Sequence, residues 1–99
     1  MNVSIANSIV FDHGSNVGVA HIENIEANHV DQKVEIFLDN GSSIYKSGAI
    51  APGYCINTIN INDNLNSGVY PATAVFTGYD KQSHKQLGQV AAQISLYVK

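Results

Sequence analysis

Four histidines, one cysteine and eight carboxylates are the groups in this 99-residue chain that could do acid–base, nucleophilic or metal chemistry. His13, His21, His29 and His84 are scattered, and no pair stands at a zinc-ligand spacing. They read as surface residues. His21 and Glu23 share a strand face at i and i+2, which is half a site at most. Asp12-His13-Gly14-Ser15 holds the letters of a hydrolase triad. A triad needs three groups converging from separate elements, with the base packed and oriented, so this run reads as a turn whose side chains bond its own backbone. Asn60, Asn62, Asn64 and Asn66 alternate around Asp63, as oxygen ligands do in calcium loops. Those loops carry more carboxylates and a late bidentate glutamate, so these are turn-forming asparagines. Cys55 has no cysteine to pair with and no neighbouring base, and it reads as a small buried hydrophobe. No catalytic, metal or cofactor site is expected, and the chain reads as a non-enzyme.

The charge balance narrows the partners. The net charge is −3, with five lysines and no arginine. Phosphate contacts and base reading both want clustered basic side chains, so nucleic acid is disfavoured. An anionic membrane surface is disfavoured on the same ground. No run reaches the roughly 18 apolar residues of a membrane-spanning helix. The start, Met-Asn-Val-Ser-Ile, lacks the basic and apolar regions of a signal peptide. A secreted or cell-surface protein would then have its signal or anchor outside this sequence, and a cytoplasmic location stays open.

The elements that would position any site are strands. Apolar residues alternate in short runs broken by turn residues, and no window keeps a helical period. Val90, Ala92, Ile94, Leu96 and Val98 give the clearest run, and Tyr70, Ala72, Ala74 and Phe76 the one before it. Val34, Ile36 and Leu38 lead into Asn40-Gly41, a tight hairpin signal. Pro52-Gly53 is a type II turn signal. Ile56 and Ile59 differ in parity, which predicts a bulge or a change of sheet between them. Strands are predicted near 3–11, 17–23, 33–39, 43–47, 55–61, 69–79 and 88–98. Leu65, Gly68 and Tyr70 have the spacing of a tyrosine corner, where a buried ring bonds backbone upstream as the chain crosses between sheets. The expected fold is an all-β, immunoglobulin-like Greek-key sandwich of seven strands, as one domain over 1–99. The first, second and fifth strands form one sheet, and the others form a second in the fibronectin-III manner.

Ile44-Tyr45-Lys46-Ser47-Gly48-Ala49-Ile50-Ala51-Pro52-Gly53, Val75 to Asp80 and Leu87-Gly88-Gln89 resemble small Ig-like ectodomains of Gram-positive bacterial surface proteins. The resemblance covers roughly 17–99 and marks turns and core positions. It implies a sandwich fold and an exported location, and carries no catalytic residues. The internal Lys–Asn bond of Gram-positive pilin domains is not expected, because the last strand holds no asparagine and Lys33 sits at a strand edge. Phe37, Val75 and Tyr97 fall on the outward parity of one predicted sheet, and Tyr45 is placed with them. Several apolar groups on one face suggest a contact surface. The resulting reading is a non-catalytic structural or protein-binding module. It would act through self-association as a homodimer or by docking a protein partner on a sheet face or open edge. The alternative is a carbohydrate-binding module that stacks a glycan on Phe37, Tyr45 and Tyr97.

Overall fold

The computed structural model describes residues 1–12, 14–61 and 65–99. The strands are β1 (Ser8–Phe11), β2 (Val17–Glu23), β3 (Asp31–Leu38), β4 (Ser43–Lys46), β5 (Cys55–Asn60), β6 (Gly68–Tyr79) and β7 (Gln86–Val98), with one turn of 3-10 helix at Glu26–Asn28. All seven join in one mixed sheet in the order β4-β3-β6-β7-β1-β2-β5. Both expected sets of strands are present, but they are not separate sheets. β1 links them, parallel to β7 through Ser8–Ser95 to Phe11–Val98 and antiparallel to β2 at Phe11–Gly18.

The sheet curls around one core, to which all seven strands contribute. Ile9, Phe11, Ile22, Ile36, Ile44, Ile59, Phe76 and Leu96 lie within a single buried cluster. Strict alternation brings this about: β2 reads exposed-buried along its whole length, and the inward set of β6 is Ala72, Ala74 and Phe76. The small alanines leave room for the isoleucines opposite. Gly18 also has a packing reason. A Cβ there would sit 2.7 Å from both Ile9 and Phe11.

The turns follow their sequence signals. Gly41 takes φ +88° and its N–H donates to Leu38 C=O; Gly53 takes φ +85°, inside a turn closed by Tyr54 N–H on Ala51 C=O. The parity break of β5 meets a bulge, but the extra residue is on β2. Val19 pairs with Thr58 and Ile22 with Ile56, and His21 adopts a left-handed φ of +49° between them. The Tyr70 hydroxyl donates to Asn66 C=O at 2.6 Å, with Leu65 packed on the core and Gly68 at φ +153°. Tyr70 itself is half-buried.

Two sequence expectations change. Cys55 is exposed, because the inward positions of β5 are Ile56 and Ile59. The predicted first strand, 3–11, divides. Ser4 and Ala6 bond β2, with Glu23 N–H on Ser4 C=O and Ala6 N–H on Ala20 C=O, and only from Asn7 onward does the chain bond β7.

One end of the core is closed by polar groups. Asn24 is fully buried, in the connection between the predicted strands 17–23 and 33–39. Its amide donates to Val30 C=O and Ile50 C=O, and its carbonyl oxygen accepts from Asn28 Nδ2. Its backbone bonds Tyr54 and Gly53. Asn24→Ala would remove three side-chain hydrogen bonds, those to Val30 C=O, to Ile50 C=O (which keeps Gln32 N–H) and from Asn28 Nδ2, each worth about 0.5–1.5 kcal/mol. Chemical denaturation should therefore show a loss of at least about 2 kcal/mol. Tyr70→Phe should cost only about 0.5–1.5 kcal/mol, the net worth of one hydrogen bond; an unchanged melt would mean that the Asn66 bond contributes nothing.

Candidate functional site

The four predicted contact residues do not come together. Phe37 lies opposite Thr73, and Val75 opposite Glu35 and Ala91, so the two occupy adjacent rows of the outer face. Both are half-buried and line a shallow groove of about 250 Å³ with Lys33, Lys46 and Tyr79. The Lys33 ammonium stands 5.0 Å from the Tyr79 ring centroid. Tyr97 is in another row, four residues along β7 from Gln93, or roughly 13 Å at strand rise. Its neighbours there are Val69 and Val10. All three are exposed, at 40%, 61% and 44%. Tyr45 is not part of the outer face. The register slips between Ile36 and Phe37, which sets Tyr45 opposite inward-facing Ile36 and packs its ring on the core. Burial pushes the Tyr45 hydroxyl above its ordinary pKa. The aromatic platform required for stacking a glycan is thus divided among three places.

The acid–base candidates remain apart as well. Among the described residues no three His, Cys, Asp or Glu side chains cluster as metal ligands. His21, at the β2 bulge, and His29 and His84, in connections, all have left-handed backbone, with φ of +49°, +55° and +58°. His13, Asn62, Asp63 and Asn64 lie outside the described residues, so the Asp12–Ser15 and asparagine-loop readings are only partly placed. Ser15 N–H donates to Asp12 C=O and Ser15 Oγ accepts from Val17 N–H, which is turn bonding.

Strand β7 presents a feature that the sequence reading passed over. β1 covers it only from Ser95 to Val98. From Gln86 to Ile94 it pairs with β6 on one side and, among the described residues, has no strand on the other. Backbone direction follows from the bonds present. Ser95 and Lys99 donate towards the β1 side, to Asn7 and Phe11 C=O. N–H and C=O of one residue point the same way and alternate along a strand. The polar groups of Gln89, Ala91 and Gln93 therefore face the uncovered side, and the even residues bond β6. Pro71, opposite Ser95, fits this phase because it has no N–H to offer there.

The same reasoning holds across the gap. Ser4 and Ala6 point their backbone groups at β2, so those of Val3 and Ile5 point towards β7. Among the described residues neither has a backbone partner. Two strand edges thus diverge from Asn7, and the gap between them is a slot into which backbone groups with no partner among the described residues are directed from both sides. Its far end holds a cavity of about 370 Å³ lined by Met1, Val30, Leu87 and Val90, by the polar Asn28 and Gln89, and by Gly78 and Gly88. The Gln32 side-chain oxygen, on the strand opposite Gly78, is buried without a partner among the described residues. No charged residue occurs anywhere in β7.

No family model and no curated protein matches the chain. Among solved structures it is similar to the periplasmic chaperone SfaE, with a TM-score of 0.57 and 10% identity over 99% of this chain and 56% of that one. The chain spans little more than half of that structure's length, and the likeness is one of fold. The class defined is an all-β protein with a periplasmic chaperone as structural neighbour.

The Asp80 turn sets where the open edge begins. Asp80 Oδ1 accepts from Gln82 N–H and Ser83 N–H, each at 2.9 Å. The Ser83 bond, then the Gln82 bond, holds the carboxyl below its ordinary 3.8. A carboxylate with a lowered folded pKa contributes above its unfolded value and loses that contribution as pH falls through the folded one. Amide protection factors in residues 80–86 should fall in that acid window, and Asp80→Ala should show the lower protection already at neutral pH.

Proposed function

We propose that the chain is a non-catalytic protein-binding module that takes up one extended segment of a partner in the slot beside β7. The observation carrying this reading is the pair of facing, unpaired strand edges. An open edge is a template for another strand, and proteins ordinarily blunt one with charge, proline, bulges or cover. β4 is short, bulged and carries Lys46. β7 carries no charge and no proline over Gln86–Ile94, and its bulge, at Leu87, lies at the start of the edge and leaves 88–94 regular. Strand addition draws affinity from main-chain bonds and selectivity from alternate side chains, and it needs no titratable group.

The fold we infer is the immunoglobulin-like Greek-key sandwich of the fibronectin-III kind. Its support is the Tyr70–Asn66 corner, the β4-β3-β6-β7 order and the likeness to SfaE. An exported location fits the same likeness and the resemblance of 17–99 to Gram-positive ectodomains.

Proline substitution tests the slot. Ala91→Pro removes an N–H directed into the slot and spares the ladder with β6. Ala92→Pro removes one used by that ladder. A labelled seven-residue peptide alternating valine with threonine and serine serves as probe, followed by amide chemical shifts. The wild type should bind it, with shifts concentrated at Val3, Ile5 and 89–93. Ala91→Pro should keep the fold and lose at least about tenfold in affinity, and Ala92→Pro should unfold. A folded Ala91→Pro variant that binds like the wild type overturns the proposal.

A further inference from the structure

The slot is not uniform along its length. Gly78 and Gly88 face each other across β6 and β7, on the inward side at its wide end. Two glycines side by side leave a hollow where neighbouring rows carry Phe76 and Val90. The Met1 side chain occupies this hollow. A Cβ built on Gly78 would come 2.7 Å from the Met1 sulfur. The chain's own segment therefore shows what class of side chain the hollow accepts: long, flexible and apolar.

The register carries the point further. If the β1–β7 pairing is continued by the same step, Met1 falls opposite Gly88, Val3 opposite Val90 and Ile5 opposite Ala92. A strand lying along β7 thus meets no side chain at the first level and small or medium ones at the next two. Leu87 and Val30 line the sides of the hollow, and about 370 Å³ of space remains beside Met1.

We propose that the Gly78–Gly88 hollow is the specificity pocket of the slot, and that it takes a bulky apolar side chain of leucine to phenylalanine size from an uncharged partner strand, displacing Met1. This rests on the strand-addition reading. Two features argue for such an occupant. The β7 wall is charge-free, so it offers nothing to neutralise a lysine or glutamate brought in from water. The hollow is lined largely by apolar side chains, and an apolar group placed there gains in proportion to the area it buries. Met1 can yield because its side chain is half-exposed, at 47%.

The test uses two seven-residue peptides of symmetric pattern, so that strand direction does not matter. Both alternate valine with threonine or serine, and one ends in phenylalanine on each side while the other ends in alanine. The phenylalanine peptide should bind the wild type at least about tenfold more tightly. Gly88→Leu should erase that preference by filling the hollow from within. It should still fold, because a Cβ on Gly88 meets nothing within 4 Å and its backbone is not left-handed. It should also leave affinity for the alanine peptide within about threefold. Met1→Ala should strengthen the phenylalanine peptide by removing its competitor. Equal affinity of the two peptides for the wild type overturns the pocket while leaving strand addition intact. So does a phenylalanine preference that survives Gly88→Leu. Failure of both peptides to bind overturns the slot itself, and this inference with it.

Discussion

The buried amide of Asn24 is the interaction on which the rest of the molecule depends. An asparagine side chain has two donors and one acceptor group, and here all of them are used inside the protein. Each bond goes to a different crossing of the chain: the approach to β3, the loop before β5, and the 3-10 turn. Buried polar groups are costly when unpaired, so such a set acts as one cooperative knot. Asn28 extends it. Its amide bonds both Asn24 Oδ1 and Asn2 C=O, and its carbonyl accepts from Asn2 N–H. Gln32 adds a further donor to Asn2 C=O. The N-terminal segment is thereby pinned beside β2, away from β7.

This pinning explains why the slot stays open. The odd residues of the segment have the parity to pair with β7, and the apolar set Val3, Ile5, Ile9 and Phe11 would serve either partner. Zipping onto β7 would satisfy two edges, but it would break the Asn2–Asn28 pair and the Ser4 and Ala6 bonds to β2. The chain uses one stretch of residues for two jobs: below Asn7 it extends β2, and above it completes β7. A continuous β1 would have covered β7 along its length and left none of its backbone groups to bind a partner.

Much of this architecture was legible in the sequence, and the reasons for the misses are physical. Strands with one buried face announce themselves by alternation, and β2, β6 and β7 fall within two residues of their expected limits. Asn40-Gly41 and Pro52-Gly53 turn where positive φ is required. The division of the first strand was illegible because alternation reports which face is buried and says nothing of which neighbour supplies the hydrogen bonds. Tyr45 was misplaced by a bulge, which reverses parity without changing composition. The burial of Asn24 was illegible because a polar residue among polar residues, between two predicted strands, gives no sign of it. The slot did leave one trace, a thirteen-residue strand without a charge, but that trace gains meaning only once the strand's neighbours are known.

An uncharged open edge is ordinarily an aggregation hazard, and the geometry here limits it. A free edge on the rim of a flat sheet can dock another sheet rim of any length. The β7 edge faces a second edge, so what enters must be a single strand narrow enough to lie between two walls. It must also place side chains alternately into the core end and out to solvent. Rigid neighbours cannot do that without unpairing one of their own strands. The free edges at the ends of the sheet order are treated differently: β4 is four residues long with a bulge against β3, and β5 carries Asn57, Thr58 and Asn60 on its exposed positions. Protection by polarity is thus used where the edge is open to any comer. Protection by confinement is used where an edge must keep its backbone groups available.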